Sequence, residues 1–142
     1  MILPNKWLRK AIFDALDGLE VNREPINVYD TNVTSREDLA HYIVLSTQTA
    51  TVTRSNSCKD LWNATIIIEA VTVEPNAGLG GSRVKLDNVT QLVYDRLTNL
   101  EFHEQAGLNF FSYRLDSKNT LSSTTNNKLI NRNILQLTAV IH

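Results

Sequence analysis

The segment with the most obvious chemical potential is residues 74–83, EPNAGLGGSR, which holds three of the chain's five glycines. It follows an apolar run and precedes a helical pattern, as a phosphate-binding turn does. A Walker-type loop needs Gly-Lys-Ser/Thr, whereas Gly81 is followed by a serine and an arginine. The dinucleotide fingerprint fails too, because an arginine stands where its third glycine belongs. We predict that Gly78, Gly80 and Gly81 serve backbone geometry in a strand-to-helix connection and bind no nucleotide.

The other residue types that could do chemistry are scattered along the chain. The histidines are His41, His103 and His142, and no His-x-x-x-His or paired cysteine accompanies them. Cys58 has no histidine near it in sequence and no second cysteine, which argues against a nucleophile and excludes an internal disulfide. Four acidic residues surround the end of the first helical segment, where a solvated face is expected: Asp14, Asp17, Glu20 and Glu24. The sequence therefore predicts no catalytic, cofactor or metal site.

The composition indicates one soluble globular domain spanning residues 1–142. Hydrophobic residues make up 42% of the chain and charged residues 20%. The net charge of -1 lacks the overall basic balance of a nucleic-acid binder. No apolar run approaches the ~20 residues that cross a bilayer, and charged residues interrupt the first 20 positions, so neither a membrane span nor a secretory signal is expected. With its single cysteine, the chain is expected to fold in the cytosol.

A local basic surface is conceivable near the C-terminal end. Residues 126–128 (NNK) and 131–133 (NRN) could touch a nucleic-acid backbone. Because no stripe of basic and aromatic residues accompanies them, an exposed hairpin is the favoured interpretation.

Two segments have the apolar period of an amphipathic helix, and both stripes must be buried. Pro4 and Asn5 can open the first helix, and Gly18 can help to end it. The first stripe comprises Trp7, Leu8, Ala11, Ile12, Ala15, Leu16 and Leu19. The second, in a helix expected over residues 83–99, comprises Val84, Leu86, Val89, Leu92, Val93, Leu97 and Leu100.

Five segments are predicted as strands, namely residues 25–30, 41–48, 61–72, 108–115 and 130–141. The polar stretches 49–60 and 116–128 are predicted as long loops, because serine, threonine and asparagine dominate them. In the third strand alternation separates an apolar face (Trp62, Ala64, Ile66, Ile68, Ala70) from a wet face with Asn63, Thr65 and Glu69. We predict an α+β fold: a mostly antiparallel sheet of about five strands with two helices packed on one face.

The order of these elements resembles a known family. A helix WLRKAIFDALDGL precedes VYDTNV and HYIVLSTQ, and a strand TIIIEAVT leads through the glycine-containing loop into the helix KLDNVTQLVYDRL. The chain closes with the strand NRNILQLTAVI. This layout resembles the tail-terminator, or tail-completion, proteins of tailed bacteriophages over nearly the whole chain. The long polar connection 49–60 departs from that pattern.

The resemblance implies a structural protein of the virion tail, made in the bacterial cytoplasm and not an enzyme. Its expected partners are further copies of itself in a ring, usually a hexamer, the tail-tube protein and the head-tail connector proteins. DNA would pass through the ring lumen without sequence-specific binding. The alternatives are a head-tail connector or tail-tube subunit, or a small cytosolic ligand-binding domain or enzyme. A ring would also cover the apolar residues that alternation leaves on the wet side of the sheet, Ile67 and one of Phe110 and Phe111.

Overall fold

The computed structural model describes residues 4–21, 23–30, 40–55, 60–75, 84–98, 100, 110–125 and 128–141. The helices are α1 (Asn5–Leu16) and α2 (Val84–Thr98). The strands are β1 (Glu20–Val21), β2 (Glu24–Pro25), β3 (Asn27–Tyr29), β4 (His41–Ser55), β5 (Asp60–Pro75), β6 (Phe110–Thr125) and β7 (Lys128–Ile141). The glycines of the 74–83 segment lie outside the described residues.

The main sheet has five strands in the order β3-β4-β5-β7-β6. β3 runs parallel to β4, and every other pair is antiparallel. The predicted α+β class is confirmed, and so is the order of helix, three sheet strands, helix and two strands. The small hairpin of β1 and β2 was not predicted, and it forms a separate two-stranded sheet.

Both helices pack on the same face of the main sheet. In α1 the fully buried side chains are Leu8, Ile12 and Leu16, and in α2 they are Leu86, Val89, Val93 and Leu97. They meet one face of β5 and β7, where the predicted residues are buried: Trp62, Ala64, Ile66, Ile68, Ala70, Leu135, Leu137, Ala139 and Ile141. The stripe of α2 is narrower than predicted, because Val84 is 63% exposed and Leu92 is half-buried.

The C-terminal end of α1 is held by a glycine and by an arginine from α2. Gly18 has a φ of 78°, a left-handed conformation that favours glycine. Arg96 of α2 donates to the carbonyl oxygens of Ala15 (3.2 Å) and Asp17 (3.4 Å). A cation at this end also interacts favourably with the helix dipole. These contacts fix where α1 ends against α2.

The prediction of two long polar loops is wrong. β4 continues to Ser55 and β5 begins at Asp60, so most of the 49–60 segment is strand. β6 continues to Thr125 and β7 begins at Lys128, so the described residues of the 116–128 segment are strand as well. Each polar segment is one half of a long antiparallel hairpin whose other half is an apolar strand, β5 or β7. Pairing with the backbone of that strand holds the polar half extended.

The two long hairpins turn at opposite ends of the sheet. The turn between β4 and β5 lies beyond the Ser55–Asp60 pair, at the end where Trp62 pairs with Ile141. The turn between β6 and β7 lies beyond the Thr125–Lys128 pair, at the end where Pro75 also pairs with Lys128. Each end of the sheet therefore carries one hairpin tip.

Candidate assembly interface

The side chain of His41 is buried and has a structural role. Its side chain is 4% exposed, and its Nε2 donates to the carbonyl oxygen of Pro25 at 3.0 Å. Its Nδ1 lies 3.8 Å from the Glu24 carboxylate, which is too long for a hydrogen bond. The imidazole thus attaches the β1–β2 hairpin to the start of β4. His103, His142 and Cys58 lie outside the described residues.

The acidic residues around the end of α1 do not converge on a site. Asp14 is solvated and pairs with Lys10 at 2.8 Å, one helical turn away. Asp17, Glu20 and Glu24 are exposed, as predicted. Within the described ranges, no group of three histidine, cysteine or acidic residues could hold a metal ion. No helix in those ranges is long and apolar enough to cross a membrane.

The clearest surface feature within the described part of the chain is the outer edge of β6. This strand of sixteen residues contains no proline, and its one partner among the described residues is β7. From Ser117 to Thr124 every side chain is exposed. An edge strand presents backbone N–H and C=O groups that can pair with another strand. β6 therefore offers a long template for strand addition.

The opposite side of the sheet also has an open stretch, in the outer half of β4. β3 pairs only with residues 42–44, and beyond them no described strand lies against β4 on that side. Thr49 and Thr51 are exposed there. The stretch begins at an irregularity between Leu45 and Gln48. It is the second open edge within the described part of the chain.

Polar contacts from α1 hold β4 at this irregularity. Gln48 donates from Nε2 to the carbonyl oxygen of Asn5 at 2.7 Å and accepts from Arg9 Nε at 3.1 Å. Arg9 also pairs with Asp30, at 2.8 Å between Nη1 and Oδ1. α1, the residue after β3 and the start of the open stretch of β4 are thereby held together.

The two open edges run in opposite directions. The four long strands lie in the order β4, β5, β7, β6, and each neighbour is antiparallel. Because their number is even, β4 at one side runs opposite to β6 at the other. If a second copy is placed beside the first at the same level and in the same orientation, its β4 and β3 both run antiparallel to β6. The open stretch of β4 then lies level with the first half of β6, and β3 lies level with Asn119 to Leu121 of the second half. One kind of edge contact can therefore be repeated from copy to copy.

The face of the sheet away from the helices, here called the helix-free face, carries a small apolar cluster. Tyr42, Val44 and Val71 are buried there, with Tyr29, Val73 and Ile130 packed against them. The rings of Tyr29 and Tyr42 meet edge to face, with centroids 6.2 Å apart. On β6 the register places Leu121 on the same face, opposite Arg132, and its side chain is 50% exposed.

The prediction of an exposed polar hairpin at residues 131–133 is wrong for both asparagines. Asn131 is 1% and Asn133 is 7% exposed, and both lie on the face that the helices cover. Asn133 donates to Thr90 Oγ1 of α2 at 2.7 Å and accepts from Thr120 Oγ1 at 2.6 Å. Asn131 accepts from Ser122 Oγ at 2.7 Å. These asparagines connect β6 and β7, and Asn133 also reaches α2. Asn126 and Asn127 lie outside the described residues.

The sequence pattern missed both open edges, yet one signal marks the open stretch of β4. In TQTATVT, residues 47–53, threonine occupies every second position. β-branched residues at period two are typical of a strand, even where no apolar face accompanies them. β6 has no comparable signal.

A scan against protein-family models and a search of curated protein sequences both returned no match.

Proposed function

We propose that this chain is a ring-forming structural protein of a tailed bacteriophage, a tail terminator. In this role copies of the chain, six in the usual case, close into a ring on the end of the tail tube. The ring stops further polymerisation of the tube and presents the surface that joins the head connector. DNA passes through its lumen without sequence-specific contacts. The order of helices and strands that resembles this family supports the proposal.

The observation that carries the proposal is the pair of open edges with opposite strand direction. A contact between β6 of one copy and the side of the next that carries β3 and the open stretch of β4 is heterologous, because two different surfaces meet. Repetition of such a contact gives a ring when the rotation between copies closes. Backbone pairing along an exposed edge is an established mode of protein association. Two different edges of this kind support a cyclic assembly.

The first experiment measures the mass of the purified protein in solution by light scattering and images it by electron microscopy. We expect a closed ring that binds the ends of isolated tail tubes and blocks their extension. Open filaments would instead identify a tail-tube subunit. A monomer at every concentration, above all one that binds a small molecule, would refute the ring and favour the ligand-binding or enzyme alternative.

A pair of charge variants tests the role of the β6 edge. Asn119→Lys combined with Ser123→Lys places two lysines on exposed positions of β6, where edge lysines oppose strand addition. The matched control, Asn88→Lys with Thr98→Lys, adds the same charge on exposed positions of α2. We expect the first variant to stay folded and lose the ring, and the control to keep it. Equal assembly of both variants would exclude the β6 edge as the interface.

A further inference from the structure

The pairing of β6 with β7 changes register part of the way along the hairpin. Leu115 faces Leu137 on the helix-covered side, but an irregularity between Ser117 and Asn119 inserts one extra residue in β6. Beyond it, Thr120 pairs with Asn133 and Ser122 with Asn131. Since strand side chains alternate, one inserted residue exchanges the two faces of the strand. This bulge turns Leu121 to the helix-free face.

The composition of β6 does not select this register by burial. Without the bulge, Leu121 would lie opposite Asn131 and face the helices, with Asn119 opposite Asn133. Residues 117–124 are SKNTLSST, which has one large apolar side chain, and all of these residues are exposed in the observed register. A strand of this kind has weakly specified pairing. Another part of the hairpin must decide between the registers.

Asn131 distinguishes the registers, because in the register without the bulge Asn119 would still offer Asn133 an amide donor. In the observed register, the Thr120 hydroxyl donates to the amide oxygen of Asn133, and the Ser122 hydroxyl donates to that of Asn131. Asn133 also donates to Thr90 Oγ1 of α2. In the register without the bulge, Leu121 would offer Asn131 no donor, and a buried polar atom without a partner costs free energy. Asn131 Nδ2 is itself buried and has no partner among the described residues, so this residue is a poor choice for stability alone. A buried asparagine that lowers the stability of a fold can nevertheless specify the register in which two elements pair.

We propose that Asn131 and Asn133 are positioning residues that select the bulged register of β6. In this register Leu121 lies on the helix-free face of the edge strand. The register itself does not depend on the proposed ring. Only the use of Leu121 in contacts between copies rests on that proposed function.

The test reads the register with pairs of engineered cysteines in a Cys58→Ser background. Ser123→Cys with Ile130→Cys places two thiols directly opposite each other in the observed register. Ser123→Cys with Leu129→Cys does so in the register without the bulge. Each protein is oxidised briefly under native, dilute conditions, and the disulfide yield is measured by mass spectrometry. With both asparagines present, we expect the first pair to form in at least tenfold excess over the second.

Asn131→Leu combined with Asn133→Leu should reverse this preference, because Leu121 then gains apolar neighbours on the helix-covered face. The matched control places leucines on the other face of β7, with Gln136→Leu and Thr138→Leu, and should leave the yields unchanged. If the asparagine variant does not fold, Thr120→Val with Ser122→Ala removes the two donors from exposed positions and should lower the first yield several-fold. Unchanged yields in whichever variant folds would overturn the proposal. A shifted register in a protein that never forms rings would overturn only the proposed function.

Discussion

Replacement of Leu121 by serine is expected to weaken association without unfolding the chain. Leu121 is the one large apolar side chain in the outer half of β6, and it is 50% exposed. Serine is already abundant on this strand, so the backbone pairing with β7 should survive. The perturbation therefore separates the surface role of the leucine from its contribution to the fold.

The expected magnitude follows from the exposed half of the side chain. Complete burial of a leucine side chain contributes about 2 kcal/mol, so burying the remaining half against a neighbouring copy contributes about 1 kcal/mol. Each contact between copies should thus weaken about fivefold in Leu121→Ser. Loss of the contacts that the buried half makes within the chain should lower the free energy of unfolding of the isolated chain by no more than about 1 kcal/mol.

Sedimentation velocity over a range of protein concentrations measures this effect. The midpoint of assembly should move to higher concentration, while the thermal unfolding of the isolated chain changes little. Tyr94→Ser is the control, since Tyr94 is 38% exposed on α2, which packs on the inner strands β5 and β7. An equal shift in the two variants, or no shift in Leu121→Ser, would show that Leu121 does not contact another copy.

Three further predictions concern the fold. Leu16→Asp should lower the free energy of unfolding by more than about 4 kcal/mol, because Leu16 is fully buried and the carboxylate would have no partner. Leu92→Asp should lower it less, because Leu92 is only half-buried. Urea unfolding measures both values. Gly18→Ala should lower the free energy of unfolding by about 1 kcal/mol, and Gly18→Asn should lower it less. No described atom lies within 4 Å of an added Cβ, so the cost comes from the positive φ. Equal losses in the two variants would refute this reasoning. Arg96→Met should cost about 0.5 kcal/mol through the lost interaction with the end of α1, and a melting temperature equal to that of the wild type would contradict it.

The sequence was informative wherever one side of an element is buried and the other is wet. Ile66 and Ile68 alternate with polar or half-buried neighbours in β5, and Leu135 and Leu137 do so in β7. Leu8 and Ile12 likewise recur at helical spacing in α1. In each case burial on one face imposes a period on the apolar residues, and that period is visible in the sequence.

The candidate interface could not be found in this way. The outer half of β6 has exposed side chains on both faces, so burial imposes no period on it. Its residues are those that also favour turns, and only pairing with the distant β7 makes them a strand. The buried state of Asn131 and Asn133 was hidden for a related reason, since asparagine is usually exposed. Contacts across the hairpin and with α2 determine their environment.

The position of β7 between β5 and β6 has a consequence for the order of folding during synthesis. Residues of β5 and β7 that pair are roughly 50 to 80 positions apart along the chain, and contacts over such separations form slowly. The paired residues of β4 and β5 are, by contrast, near each other in the chain, and this hairpin can form as soon as its residues leave the ribosome. Until β7 is translated, the inner edge of β5 has no partner, and the run Ile66, Ile67 and Ile68 lies on that uncovered strand. An apolar edge of this kind is a site for aggregation, so yield in the cell should depend on how soon β7 follows β5 or on chaperones that cover the edge meanwhile.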